Sequence, residues 1–368
     1  MTVDELLKRL VEIDSVNPSL VPGAAGEREI ADFVAAWALE SGLAVEVLEG
    51  TPGRPSVIVR TTNGGPGRRL MLCGHLDTVG FGDSKESYVD GDRLYGRGAY
   101  DMKAGLAAAL IACRDANVES LAGEVVVACV ADEEYASLGV QEVLATLSAD
   151  AAIVCEPTES TIAVAHKGFV WTEIEVVGKA AHGSRPHLGV DAIMRTGPVL
   201  VALDRLNAAL RGNQHPRLGP GNLHASIITG GREESTVPDR CVLTIERRTL
   251  PGESVADVER DVAELLASCQ ADDPSLVAKS RTTMSREPFE TADDSPIVSA
   301  LADVLGDAAE IAGVSYWADS AFISAAGIPT VLFGPSGDGA HAAVEWVSIS
   351  DTVRCAETLT AAALRYCR

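Results

Sequence analysis

Four short apolar runs, each followed by a histidine or a carboxylate, constrain this chain more than any other feature. Residues 70–73 (LMLC) lead through Gly74 into His75 and Asp77, and residues 124–131 (EVVVACVA) lead into Asp132, Glu133 and Glu134. Residues 151–155 (AAIVC) lead into Glu156, and residues 330–334 (TVLFG) are followed within a short loop by His341. Apolar runs of this length, bounded by turn residues, read as buried strands. Strands alternating with helical segments read as a sheet covered by helices. In an open α/β sheet, ligands bind beyond the carboxyl ends of the strands, which is where these side chains would collect. Between the first two runs, residues 96–103 (GRGAYDMK) place Asp101 just ahead of a helical run that continues to residue 116.

The residue types suit metal ligation. Histidine binds a borderline metal through one ring nitrogen, and a nearby carboxylate, here Asp77, can hold the other nitrogen and fix the ring. A single His-x-Asp after a strand is more often a surface turn or a satisfied core pair than a metal site. The recurrence of the device is what favours ligation. Two histidines and three or four carboxylates make the inventory for a pair of zinc-like ions with one carboxylate bridging them.

The chain has 368 residues, 46% of them hydrophobic, enough for a substantial core and two domains. Its 30 basic and 53 acidic residues give a net charge of -23, which argues against nucleic acid or an anionic membrane as a partner. Eight scattered cysteines with no C-x-x-C pair, several inside apolar runs, read as buried free thiols in a reducing compartment, so a cytoplasmic location is expected. The first residues (MTVDELLKRLVEI) read as an amphipathic helix with a Thr2/Glu5 capping box, not as a signal peptide. No apolar run reaches membrane-spanning length.

Residues 26–41 read as a second amphipathic helix, and residues 44–48 and 56–59 as strands. Residues 63–67 (NGGPG) read as a hairpin turn into the strand that carries His75. The pattern changes near Gly168. Strand-like alternation at 169–177 is followed by a helix at 191–210, strands at 223–229 and 241–247, a helix at 254–268 and a strand near Leu276. This reads as a small α+β domain inserted at 168–286. The catalytic domain would then be discontinuous, 1–167 and 287–368, if His341 is to join the other ligands.

The motifs GHLDTV, YGRGAYDMKAG, ADEEYASLG, CEPT, KAAHGSRPHLGVDA, GGREESTVPD, ERRTLPG, GIPTVLFGP and AHAAVE occur in the order found in the M20 family of metallopeptidases and deacylases, which the chain resembles over nearly its whole length. The resemblance implies a catalytic domain with helices on both faces of a mixed sheet, plus an inserted lid or dimerisation domain. It implies two divalent ions, zinc with cobalt or manganese as alternatives, with Asp101 bridging, His75 and Glu156 on one ion, and Glu134 and His341 on the other. Glu133 would be the general base, Asp77 the orienter of His75, and the Asp101–Met102 peptide would be cis. His182 would reach an active site across a homodimer and steady the oxyanion, and Arg248 would grip a substrate carboxylate bidentately. The family is commonly small where Tyr100 stands and frequently has Asn where Ser235 stands. His166, His187, His215 and His224 have no assigned role.

The implied reaction is hydrolysis of the amide of an N-acyl amino acid, as in acetylornithine deacetylase. A dipeptidase or carboxypeptidase runs the same chemistry on a peptide bond. A non-catalytic binding homologue is a third reading, but such a chain would be expected to lose ligands, and here all five are present together with Glu133.

Overall fold

The computed structural model describes residues 1–81 and 86–368. The chain divides into two compact units. The first comprises residues 1–164, 291–313 and 318–368, and the second comprises residues 165–290 with a short return at 314–317.

The first unit is built on a mixed sheet in the order Ala44–Leu48, Ser56–Arg60, Glu124–Val130, Arg69–His75, Ala151–Val154, Thr330–Leu332 and Ile162–His166. Its centre is parallel, since Arg69–His75 runs with both Glu124–Val130 and Ala151–Val154, and Thr330–Leu332 runs with Ala151–Val154. These strands are apolar at nearly every position because both faces are covered. On one face Leu70, Leu72, Val125, Val127 and Ile153 share a core with the helices Val3–Glu12, Ala104–Ala116 and Ile349–Tyr366. The helices Leu138–Thr146 and Ser320–Ala325 pack on other positions of the same strands. The first helix carries the expected capping box between Thr2 and Glu5.

Alanine fills the helix Ala104–Ala116 because its first turn lies against strand backbone. A side chain at Gly105 would meet the carbonyl oxygen of Cys155 at 1.7 Å, so glycine alone allows that approach. The same contact holds the start of this helix, and Asp101 before it, beside the strand end that carries Glu156.

One local expectation fails. The turn at 63–67 does not form a hairpin, because Glu124–Val130 inserts between Ser56–Arg60 and Arg69–His75. The turn instead donates Gly65 N–H to the carbonyl of Gly123 and Gly67 N–H to that of Ala122. Its glycines serve close backbone approach to the neighbouring strand's start. A turn signal cannot tell these cases apart, since both need the same residues.

The second unit has a four-stranded antiparallel sheet in the order Asn222–Gly230, Arg240–Thr249, Gly168–Val177 and Val277–Arg286. Its helices Ala192–Leu210 and Val255–Asp272 share a core with the sheet through Val199, Leu203, Val262, Leu266, Ile174 and Leu243. Asp191 caps the first helix by accepting Met194 N–H, and Ser254 forms a capping box with Asp257 on the second. All eight cysteines are buried free thiols. Among the described residues, no helix is long and apolar enough to cross a membrane.

Candidate metal centre

Parallel pairing brings the carboxyl ends of the central strands to one edge of the sheet. His75 is the last residue of its strand, Asp132-Glu133-Glu134 follow Val130, and Glu156 follows Val154 by two residues. Asp101 arrives from the segment Ala99–Lys103, where the Asp101–Met102 peptide is cis.

Asp101 stands between the two histidines. Its Oδ1 lies 3.3 Å from His75 Nε2, and its Oδ2 lies 3.3 Å from His341 Nε2. Glu156 Oε1 is 3.8 Å and Glu133 Oε2 is 4.0 Å from His75 Nε2, while Glu134 Oε2 is 3.0 Å from His341 Nε2. Donor atoms of His75, Glu133 and Glu156, and separately of His75, Asp101 and Glu134, lie within 4.8 Å of one another.

The turn after Val130 separates the two glutamates. Asp132 sits at φ 67, and its carbonyl accepts the N–H groups of Tyr135, Ala136 and Ser137. Its side chain is held by Asn17 Nδ2 (3.0 Å) and Arg54 Nη2 (2.7 Å), and Arg54 in turn pairs with buried Glu27. Glu133 is thereby directed to His75, and Glu134 to His341.

Asp77 serves differently from the expectation. His75 Nδ1 lies 2.8 Å from the backbone carbonyl of Asp77, but 3.8 Å from its carboxylate. The carboxylate is occupied by Asn17 Nδ2 (2.7 Å) and by the N–H groups of Glu133 (3.1 Å) and Glu134 (3.2 Å). Asp77 therefore orients the ring through its main chain and the glutamate turn through its side chain.

Electrostatics fit a cationic occupant. Burial raises the carboxyl of Glu133 well above the usual range, pushes Glu156 up to about 8, and raises Glu134. Buried Asp319 adds to the repulsion on Glu133 and Glu156. Asp101 moves the other way, since its hydrogen bonds to His341 and His75 outweigh its burial. His341 is raised to about 10 by Asp101 and Glu134. His75 is raised although its burial opposes this, because Asp101 and the surrounding carboxylates outweigh it. The three glutamates hold their protons tightly chiefly through burial, with repulsion among the carboxylates added, and the two imidazoles do so because negative charge around them is in excess. Divalent cations would neutralise that excess, and imidazole plus carboxylate is a donor set suited to zinc-like ions.

His182 and Arg248 belong to the second unit. His182 is exposed, in a two-residue pairing with Thr236, and its Nδ1 lies 2.8 Å from Ser184 Oγ. Arg248 alternates to the same side of its strand as Thr244 and Glu246, pairs with Glu246, and lies over the ring of Phe169. Its neighbour Arg247 is buried and engaged by Glu253 and Asp261, so the half-exposed arginine is Arg248.

Sequence reading missed Asn17, Arg54 and Glu27 under the glutamate turn, and Arg97 and Glu345, which pair at 2.7 Å beside Asp101. Arg97 and Glu345 lie within YGRGAYDMKAG and AHAAVE, but nothing local marks them as partners.

Residues 71–365 match the family model described as peptidase family M20/M25/M40. An acetylornithine deacetylase of Myxococcus xanthus is 31% identical over 322 residues, covering 84% of this chain and 83% of the relative. The fold is similar to that of aminopeptidase PepT from Bacillus cereus, with a TM-score of 0.81, 19% identity, and 100% of this chain and 98% of that one covered. It is also similar to the Bacillus subtilis YXEP protein, a dinuclear metal-binding peptidase of the M20 family, with a TM-score of 0.76, 16% identity, and 98% and 96% covered. With four parallel strand ends converging on His75, Asp101, Glu134, Glu156 and His341, and a family model matching most of its length, the chain belongs to peptidase family M20/M25/M40.

Proposed function

We propose that the protein is a two-metal amide hydrolase that removes the acyl group from an N-acyl amino acid, in the manner of an acetylornithine deacetylase. The observation that carries this is the division of the Asp101 carboxylate, one oxygen toward His75 and the other toward His341. In this reading His75 and Glu156 would hold one ion and Glu134 and His341 the other, with Asp101 shared between them. Two such ions, zinc or alternatively cobalt or manganese, would supply activation of water and polarisation of an amide carbonyl.

Glu133 is the proton carrier. It is buried beside His75, and burial raises its proton affinity, which suits a carboxylate that must take a proton from the attacking water and release it to the leaving nitrogen. Arg248, whose guanidinium carbon lies 5.3 Å from the centroid of the Phe169 ring, offers its fork of donors to the substrate's α-carboxylate. His182 steadies the oxyanion of the tetrahedral intermediate from a partner subunit.

A homodimer through the second unit is supported by its edge strand Asn222–Gly230, with Ile227 and Ile228 exposed, and by Ile193, Met194 and Val201 exposed on the helix Ala192–Leu210. An open strand edge with apolar side chains is a template for pairing with another chain. Eight buried thiols suit a reducing compartment, and the cytoplasm is the proposed location.

Peptidase activity is the competing reading, since solved relatives of similar fold include an aminopeptidase and a dinuclear metal-binding peptidase. The two are separated by assaying N-acetyl amino acids including N-acetylornithine, N-succinyl-diaminopimelate and dipeptides with zinc, cobalt and manganese. Selective turnover of N-acetyl substrates is the expected result. Turnover confined to dipeptides would replace the deacylase reading.

A further inference from the structure

Arg97 and Glu345 are far apart in sequence, yet each is almost wholly buried, with side chains 5% and 2% exposed. Glu345 Oε2 accepts Arg97 Nη1 (2.7 Å) and Gly98 N–H (3.0 Å), while its Oε1 accepts the N–H groups of Tyr100 (2.9 Å) and Asp101 (3.0 Å). Arg97 spends its other donors on the carbonyls of Gly80 (2.9 Å, from Nε) and Ala342 (2.6 Å, from Nη2). Gly96 N–H adds a bond to the Glu345 carbonyl. One ion pair thus fastens three stretches of the first unit. They are the loop leaving the His75 strand, the segment that ends in Asp101, and the loop that begins at His341.

A buried ion pair is a poor device for stability alone. Its desolvation offsets much of its attraction, and apolar replacements of similar volume often do as well. Its distinctive property is directional, because charge-assisted bonds to fixed acceptors admit one geometry. That property matters most at His341, whose side chain is 56% exposed and whose backbone sits at φ 60. Packing around the imidazole therefore contributes little to its placement. The main chain just beyond it, at Ala342 and Glu345, is held by the same pair that receives the Asp101 N–H.

We propose that Arg97 and Glu345 are positioning residues that set the separation of Asp101 and His341, and thereby the affinity for the second of the two cations. This rests on the two-metal reading. Removing a partner that orients a ligand lowers metal affinity about 10- to 100-fold. Glu345→Gln keeps the shape but sets an amide against donors, and Arg97→Lys keeps the charge but cannot reach Gly80, Glu345 and Ala342 together.

The test is calorimetric titration of metal-depleted wild type, Glu345→Gln, Arg97→Lys and Arg247→Lys with zinc, with thermal unfolding of the same metal-depleted samples. Arg247→Lys disturbs a comparably buried arginine, paired with the partly exposed Glu253 in the second unit, and serves as the control. Two zinc ions should bind the wild type. One binding step should weaken about 10- to 100-fold in Glu345→Gln and Arg97→Lys, and neither step should weaken in Arg247→Lys. If Glu345→Gln does not fold, Arg97→Lys carries the test. Wild-type zinc affinities in the folded site variants, whatever their unfolding temperature, would reduce the pair to a structural role and overturn the proposal. A wild type that binds no pair of ions would overturn the two-metal reading itself, and with it the ground for this one.

Discussion

The carboxylate of Asp77 accepts the backbone N–H of Glu133 at 3.1 Å, so the residue beside one end of the ligand set fixes the start of the side chain at the other. The Glu134 N–H and Asn17 complete the same carboxylate. Asp77→Asn would keep the shape but turn one oxygen into a donor facing other donors. The expected outcome is a loss of about 1–3 kcal/mol of stability and a fall in kcat of roughly 10- to 100-fold. Denaturant unfolding and steady-state kinetics check this. Wild-type values for both would mean that the carbonyl contact to His75 is all that Asp77 supplies.

The metal-free protein should lose stability as pH rises. Glu133, Glu134 and Glu156 hold their protons more tightly when folded than at their ordinary value of 4.5, with Glu156 at about 8, and His341 is raised from 6.5 to about 10. A group with a raised folded pKa contributes stability that is fully present below its unfolded value and is lost as pH climbs through the folded one. Asp101 has the opposite sign, but its window lies below 3.8. The unfolding midpoint of the chelated protein should therefore fall by roughly 5 °C or more between about pH 5 and about pH 9. Added divalent cation should remove most of that fall, since it replaces the protons. A chelated midpoint that rises across this range would contradict the charge balance described for the site.

Glu133→Gln should retain both metals and lose turnover by about 10²- to 10⁴-fold, because an amide cannot accept the proton of water. Mixing this inactive subunit with inactive His182→Ala subunits should restore part of the activity if each site draws on two chains. No recovery after proven subunit exchange would confine His182 to its own chain.

His75 and the three glutamates of the candidate site were legible because each stands at or just past the end of a buried apolar strand, a local signal that survives without the fold. His75, Glu133, Glu134 and Glu156 follow their strands within a few residues, and the parallel pairing that gathers them is what such runs favour. The role of Asp77 was misassigned because spacing names a residue, not the atom it uses. The Asn63–Gly67 turn was misread because pairing order is settled by a strand some sixty residues later. Arg54 and Glu345 were invisible for a related reason. Buried charges find partners across the fold, Glu27 and Asp132 for the one and Arg97 for the other, and no periodicity records such distances.

Arg248→Lys should weaken hydrolysis of a substrate with a free α-carboxylate far more than that of its C-terminal amide, because lysine cannot copy the bidentate fork. The ratio of kcat/KM for acid over amide should fall toward one. Wild-type protein that hydrolyses both equally well would remove carboxylate recognition and favour an aminopeptidase-like substrate.

Metal stoichiometry tests the central claim most directly. Metal-depleted wild type and His341→Ala, titrated with zinc and assayed at each step, should bind two ions and one ion per chain respectively, with full activity only in the doubly loaded wild type. Full turnover by wild-type protein at one ion per chain, or with no divalent metal, would contradict the two-metal account built on Asp101, His75 and His341.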